Sequence, residues 1–211
     1  MNSLFNFNNP LMRFLSRILD ILYLNLLFLL CCLPIITIGP SFSALYYCLL
    51  KILRDQDSSI TTMFFHSFKT NLKQGISLTL FFIGVVLILL LNIYLCTQLD
   101  GELFEYIKIF IYVIFVCFIG IISYAFPFLA QFDNSLKNII KYSFFLAISN
   151  FGYTFIIMGL NSVPFLLFYF LPELFLYTLP GWLTFGFAII ALINAKFFVK
   201  IFNKFIPENN P

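Results

Sequence analysis

Five long stretches without a charged residue constrain the fold of this chain more than any other feature. They cover residues 21–50, 74–99, 109–132, 142–172 and 174–195. A transmembrane α-helix needs about 20 apolar residues, and every one of these stretches is longer. Because backbone amides and carbonyls find no water in hydrocarbon, each stretch is predicted to be helical.

The charge content indicates the same class of protein. Only 10% of the 211 residues are charged, whereas soluble domains carry about 25%. A water-soluble fold of this size would lack the charges to cover its surface. The sequence therefore predicts an all-α, polytopic membrane protein with five or six transmembrane helices, six being preferred, in a single domain over residues 1–211.

Two of the stretches contain a break. The 30 residues of the first stretch would make a helix of about 45 Å, too long for one pass, and its two prolines interrupt helical hydrogen bonding. Helices are predicted there at residues 12–33 and 41–54. In the fourth stretch, residues 161–164 are predicted to end a span, and residues 164–180 to lie at the membrane surface. The remaining spans are predicted at residues 75–97, 106–130, 142–163 and 182–202.

Lysine and arginine near span ends favour the cytoplasmic side of a membrane. Six passes from a cytoplasmic N-terminus put 11 of the 12 basic residues inside and leave Lys108 outside, whereas five passes give 9 and 3. The six-pass arrangement is preferred, with both chain ends cytoplasmic and the break at residues 34–40 on the outer side. An N-terminal helical hairpin that enters and leaves on the cytoplasmic side would place the charges equally well.

Residues 60–73 are amphipathic. Their apolar side chains recur at the spacing of one helical face, namely Ile60, Met63, Phe64, Phe68 and Leu72. This pattern predicts a helix in the cytoplasmic interface, with its basic residues at anionic headgroups of the lipid bilayer. Packing against a partner protein is the alternative. The candidate residues of this interfacial or partner face are Phe64, His66, Phe68, Lys69, Asn71 and Lys73.

The break at residues 34–40 is the other candidate functional feature. Carbonyls and amides freed where a helix is broken can hold a substrate or an ion. They can equally be capped by the hydroxyls of Thr37 and Ser41. The candidate residues of this site are Pro34, Thr37, Gly39, Pro40 and Ser41.

Little in the sequence indicates catalysis. There is one histidine, and the five cysteines form no CxxC pair, so no metal site is predicted. No phosphate-binding glycine loop, dinucleotide fingerprint or HExxH motif occurs. We therefore predict a protein that is not an enzyme, with no catalytic residues and no cofactor. The net charge of +3 is explained by topology, so nucleic acid is not expected as a partner.

Three blocks of sequence resemble one known family. They are LLFLLCCLPIITIGPSFSALYYCLLKILRD at 26–55, FFHSFKTNLKQG at 64–75 and YAFPFLAQFDNSLKNIIKYSFFLAISN at 124–150. Together they resemble the YesL-like integral membrane proteins of bacteria. Such proteins are typically encoded beside carbohydrate uptake systems and two-component regulators. The resemblance therefore implies, by association, an accessory or regulatory protein of the bacterial plasma membrane, with sugar transporter or sensor components as partners. A small-molecule transporter or channel using the break is the alternative.

Overall fold

Short connections, some of them a single asparagine or a segment with a proline, divide the described part of this chain into helices. The computed structural model describes residues 10–56, 58–99 and 101–204. The predicted cytoplasmic chain ends lie outside these residues. The nine α-helices of the described part are α1 (Pro10–Cys32), α2 (Ile38–Leu53), α3 (Ile60–Thr70), α4 (Leu72–Gln98), α5 (Glu102–Gln131), α6 (Leu136–Ser149), α7 (Phe151–Phe170), α8 (Pro172–Gly181) and α9 (Phe187–Phe202). A 3-10 turn (Ile35–Thr37) precedes α2, and a π turn (Trp182–Gly186) joins α8 to α9.

The prediction of an all-helical membrane fold is confirmed. The structure is 90% helical, and its described residues contain no strand. Six helical segments are long and apolar enough to cross a membrane, namely Leu15–Cys32, Ile35–Leu53, Leu72–Gln98, Glu102–Gln131, Phe151–Phe170 and Pro172–Phe202. The chain is therefore a multi-pass membrane protein.

The predicted span at 142–163 is wrong, because these residues belong to two helices. α6 ends at Ser149, and α7 begins after Asn150 and continues through Pro164 to Phe170. Pro164 removes one amide donor but does not end the helix, since a membrane helix tolerates such a gap when neighbouring groups compensate. The aromatic residues predicted to lie at the surface are therefore helical. The last span likewise begins at Pro172 instead of residue 182, with the proline at the first helical position, where no amide donor is required.

The break near the N-terminus is shorter than residues 34–40. Gly39 and Pro40 already lie in the first turn of α2, where backbone amides have no intrahelical partner and proline costs little. The second predicted helix therefore starts at Ile38 and not at residue 41. Among the other boundaries, the amphipathic helix ends at Thr70 instead of residue 73.

Helix α2 is the most enclosed part of the molecule. Within its apolar window, 61% is buried inside the protein, compared with 17% for α1 and 11% for α7. Its Tyr46 ring packs edge-on against Phe198 of α9 at 5.5 Å, and Phe198 packs against Tyr124 of α5 at 5.2 Å. Aromatic rings from three helices thus form the centre of the core, in the edge-to-face geometry that such rings prefer.

A similar arrangement occurs twice in the chain. In both units a long helix is followed by a short one and then, after a single asparagine, by another long helix. α2, α3 and α4 form the first unit with Asn71, and α5, α6 and α7 form the second with Asn150. In each unit the backbone amide of the asparagine donates to the carbonyl four residues earlier. The chain therefore bends at these positions without a loop.

Candidate functional site

The polar groups freed at the break are satisfied within the chain. The Thr37 hydroxyl lies 2.7 Å from the Cys31 carbonyl oxygen and 2.8 Å from that of Pro34. The Ser41 hydroxyl donates to the Thr37 carbonyl at 2.7 Å. Of the two possibilities predicted for this segment, capping is therefore the one observed.

The start of α2 packs tightly against α4. A Cβ atom added to Gly39 would overlap the Thr79 hydroxyl and lie 2.6 Å from the carbonyl oxygen of Gly75. A Cβ atom added to Gly75 would lie 2.7 Å from Cγ of Pro40. Gly39, Pro40 and Ser41 are all buried. Small residues at such a crossing let two backbones approach closely, as is common between membrane helices.

This contact places the break near one end of α4. Gly75 and Thr79 lie about 5 and 11 Å along the axis from the first residue of α4, a helix about 40 Å long. That same end carries Lys73 and follows Lys69. The break therefore lies near the lysine-bearing end of α4. Charge counts could not reveal this, because they do not specify which part of α4 the glycine of α2 contacts.

The apolar side of α3 is covered by protein. Phe64 is completely buried, and Met63 and Ile60 are 7% and 9% exposed. These side chains belong to the core cluster that also contains Leu45 and Leu49 of α2. Burial of this side leaves the basic side of α3 as the part that can meet lipid headgroups or a partner. The spacing of apolar residues in 60–73 identified an apolar face, but it could not show that α2 would cover that face.

Two of the residues predicted on the α3 face are interior. Phe64 lies in the core, and Asn71 is 7% exposed. The Asn71 side-chain amide donates to the Ser43 hydroxyl of α2 at 3.1 Å and to the Ser67 hydroxyl at 3.2 Å. Asn71 thus fixes the bend between α3 and α4 against α2. Phe68 is half-buried at the edge of the core cluster.

The remaining predicted residues are brought together on an exposed surface. We call this surface the α3 outer face and define it by the exposed residues Thr62, Phe65, His66, Lys69, Thr70 and Lys73. The rings of His66 and of Tyr47 on α2 lie 6.5 Å apart, and Lys51 Nζ lies 5.9 Å from the centre of the Tyr47 ring. The α3 outer face is therefore basic, and it packs beside α2.

A polar clasp joins α1 to the π turn. The Asn25 amide donates to the carbonyl oxygens of Leu183 at 2.9 Å and Trp182 at 3.3 Å. Its own oxygen accepts from the Ala188 backbone amide at 2.8 Å. A π turn replaces the usual i→i−4 hydrogen bonds by bonds between residues five apart, so some backbone amides and carbonyls there need other partners. Such turns often mark functional positions. The only signal in the sequence was one asparagine within an apolar run.

Arg54 occupies a junction where three helices end. Its guanidinium donates to Gln131 Oε1 at the end of α5 at 2.9 Å and to Asn203 Oδ1 after α9 at 3.4 Å. Helix C-termini carry partial negative charge, which a cation stabilises. Partial burial lowers the pKa of Arg54 from its ordinary value, yet a guanidinium remains protonated in proteins. Arg54 therefore ties α2, α5 and α9 together.

Within the described part of the chain, two buried side-chain atoms have no hydrogen-bond partner. They are the Ser143 hydroxyl oxygen and the Asn194 side-chain oxygen, although the Asn194 amide donates to Asn161 at 2.8 Å. Among residues 10–56, 58–99 and 101–204, no three His, Cys, Asp or Glu side chains cluster in a way that could hold a metal ion.

Comparison with known proteins gives one match. Residues 21–93 match the family model described as a protein of unknown function, DUF624. The matched segment begins inside α1, includes α2 and α3, and ends inside α4. No curated protein and no solved structure matches the chain.

Proposed function

We propose that this chain is a non-catalytic accessory or regulatory protein of the bacterial plasma membrane, which binds a partner through the α3 outer face. The observation that carries this proposal is the way α3 is held. Its apolar side packs against α2, and its basic side is exposed. Because the apolar side is already buried in protein, α3 presents a fixed basic surface instead of inserting into lipid.

The geometry of the α3 outer face supports a protein partner with acidic residues. His66, Lys69 and Lys73 recur on one side of the helical path, with Phe65 beside them and 38% exposed. Complementary charge steers association and fixes orientation, while an exposed aromatic ring supplies contact area. The bend fixed by Asn71 connects this surface directly to α4, so binding at α3 is coupled to a membrane-spanning segment.

For the membrane topology, we propose that both chain ends are cytoplasmic and that the break lies in the cytoplasmic half of the bilayer. The lysine-bearing end of α4 supports this, because basic residues favour the inner side. The close approach of Gly39 to Gly75 supports an N-terminal hairpin of α1 and α2 that turns before it reaches the outer surface.

We further propose that the chain is YesL-like and serves carbohydrate uptake or its sensing. The DUF624 match supports the first part, since the YesL-like proteins belong to that family. The second part rests on the gene neighbourhoods of such proteins, which make a sugar transporter or a sensor kinase the expected partner.

Site-specific photo-crosslinking in the native bacterial host tests this function. A benzophenone side chain introduced at Thr62 or Thr70 should crosslink to a transporter or sensor subunit, whereas one at the exposed Tyr112 of α5 should not. Charge reversal by Lys69→Glu and Lys73→Glu should abolish the crosslink, with Lys108→Glu as the matched control. Equal crosslinking from all three positions, or persistence after charge reversal, would argue against the proposal.

A transporter or channel is the second candidate. Its support is the buried pair of Asn161 and Asn194, whose unpaired oxygen lies within the helix bundle. The capped break no longer contributes to it, because Thr37 and Ser41 already satisfy the freed carbonyls. Flux of a sugar or ion into liposomes that contain the pure protein, lost on Asn194→Leu, would favour this candidate.

A further inference from the structure

An apolar cavity opens near the ends of α5 and α9. It has a volume of about 230 Å³ and lies among the end of α5, α6 and the end of α9. Its walls are mainly aromatic, including Phe128, Phe132 and Phe202. Ring contacts hold these walls in place, since Phe128 lies 4.7 Å from Phe132, and Phe132 lies 5.4 Å from Phe202. A fixed apolar cavity of this kind suits hydrocarbon better than a polar ligand.

The mouth of the cavity combines exposed aromatic rings with positive charge. Tyr142 and Phe145 of α6 line the cavity and are 43% and 56% exposed. Lys141 lies one helical turn before Phe145, and Lys137 lies one turn before Lys141, so the two exposed lysines continue along one side of α6. The polar residues of the lining are Asn134 and Tyr142, and the Asn134 carbonyl oxygen accepts a hydrogen bond from Gln74 Nε2 of α4 at 3.1 Å. Asp133 is the carboxylate nearest in sequence and is exposed.

We propose that this cavity and its lysines form a binding site for an anionic phospholipid. An acyl chain fills the aromatic cavity, and the headgroup phosphate pairs with the ammonium groups of Lys137 and Lys141. Basic groups beside an apolar pocket between membrane helices are the usual means of recognising anionic headgroups. A free anion would leave the cavity unused, and a zwitterionic lipid would gain little from two lysines. The site is separate from the α3 outer face and does not depend on the proposed function.

Native mass spectrometry of the full chain tests the proposal. The protein is purified into detergent containing equimolar phosphatidylglycerol and phosphatidylcholine, and the retained lipids are counted. The wild-type protein should retain phosphatidylglycerol in preference. Lys137→Gln and Lys141→Gln should each lower its affinity about fivefold. Phe145→Ser should also lower retention, because it removes one wall of the cavity.

Matched controls separate this site from unspecific lipid binding. Phe144→Ser changes an equally exposed ring, 50% accessible, on the next position of α6, and it should leave retention unchanged. Lys69→Gln with Lys73→Gln removes charge from the α3 outer face and should also have no effect. Equal retention of the two lipids would overturn the proposal. So would retention that responds to the α3 lysines but not to Lys137 and Lys141, or displacement of the lipid by millimolar inorganic phosphate.

Discussion

Gly39 of α2 and Gly75 of α4 face each other at a helix crossing so close that neither position has room for a Cβ atom. The carbonyl oxygen of Gly75 lies 2.6 Å from where the Cβ of residue 39 would be. This obstacle is backbone, which cannot move aside as a flexible side chain can, and the Thr79 hydroxyl and the Phe126 ring crowd the same position. This contact positions the break between α1 and α2 beside the start of α4, and it allows α2 to pack within the helix bundle.

Gly39→Ala should therefore destabilise the fold by about 1–3 kcal/mol through overpacking. Gly84→Ala makes the same chemical change within α4, at a position where the added Cβ would meet nothing within 4 Å. That control should be neutral or slightly stabilising, since alanine favours helix over glycine. Unfolding in mixed detergent micelles measures both variants. Equal stability of the two would show that the crossing is looser than described.

Asn71→Ala should cost about 1–3 kcal/mol, because Ser43 and Ser67 lose the amide that joins them in a buried site. Asn92→Ala is the matched control. The Asn92 amide donates at 2.8 Å to Ile88 of its own helix, and the side chain is exposed. Its loss should stay within about 0.5 kcal/mol. The same unfolding assay compares the two, and a larger loss at Asn92 would contradict the role given to Asn71.

Asn25→Leu should loosen the π turn without unfolding the protein. The substitution leaves the Ala188 amide and the carbonyls of Trp182 and Leu183 without their side-chain partner, a loss of about 1–3 kcal/mol. Backbone amides of the π turn and the start of α9 should then exchange about tenfold faster or more. Hydrogen–deuterium exchange of residues 182–190 measures this, with Asn92→Leu as control. Unchanged exchange would mean that the clasp contributes nothing to the turn.

Cysteine labelling in intact cells tests where the break lies. In a variant without native cysteines, Gln98→Cys at the far end of α4 should react with an impermeant maleimide from outside. Ile35→Cys should not, although Ile35 is 67% exposed, because it lies at the lysine-bearing end of α4. Comparable labelling of both from outside would instead support a full first pass, with the break on the outer side.

The long spans could be read from the sequence because lipid imposes a simple requirement. α4 and α5 consist mostly of apolar residues, so a membrane-spanning helix is the one structure that their sequences favour. The joint at Asn150 could not be predicted in this way, since one asparagine in an apolar run does not signal a bend. The joint at Asn71 was not predicted either, because the amphipathic pattern continues through residue 73.

Prolines were less reliable guides than charges, for a local reason. Pro34 precedes a true break, Pro40 lies in the first turn of α2, and Pro164 lies within α7. The residues around all three prolines are apolar. Whether a proline ends a helix therefore depends on whether neighbouring groups satisfy the carbonyl that the missing amide leaves without a donor. The amphipathic helix shows the same limit. Its periodicity was correct, but only the tertiary contact with α2 decides which of its candidate residues are accessible.

The enclosure of α2 has a consequence for how the ribosome and the membrane insertion machinery must handle this protein. Its span has the lowest mean hydropathy of the six candidates, 1.4, and the largest buried share, 61%. Yet α9, which supplies Phe198 beside Tyr46, follows all the other described helices in the chain. During translation α2 must therefore stay in lipid that suits it poorly until α9 has been synthesised. A protein truncated before α9 should be recognised as incomplete by membrane proteases.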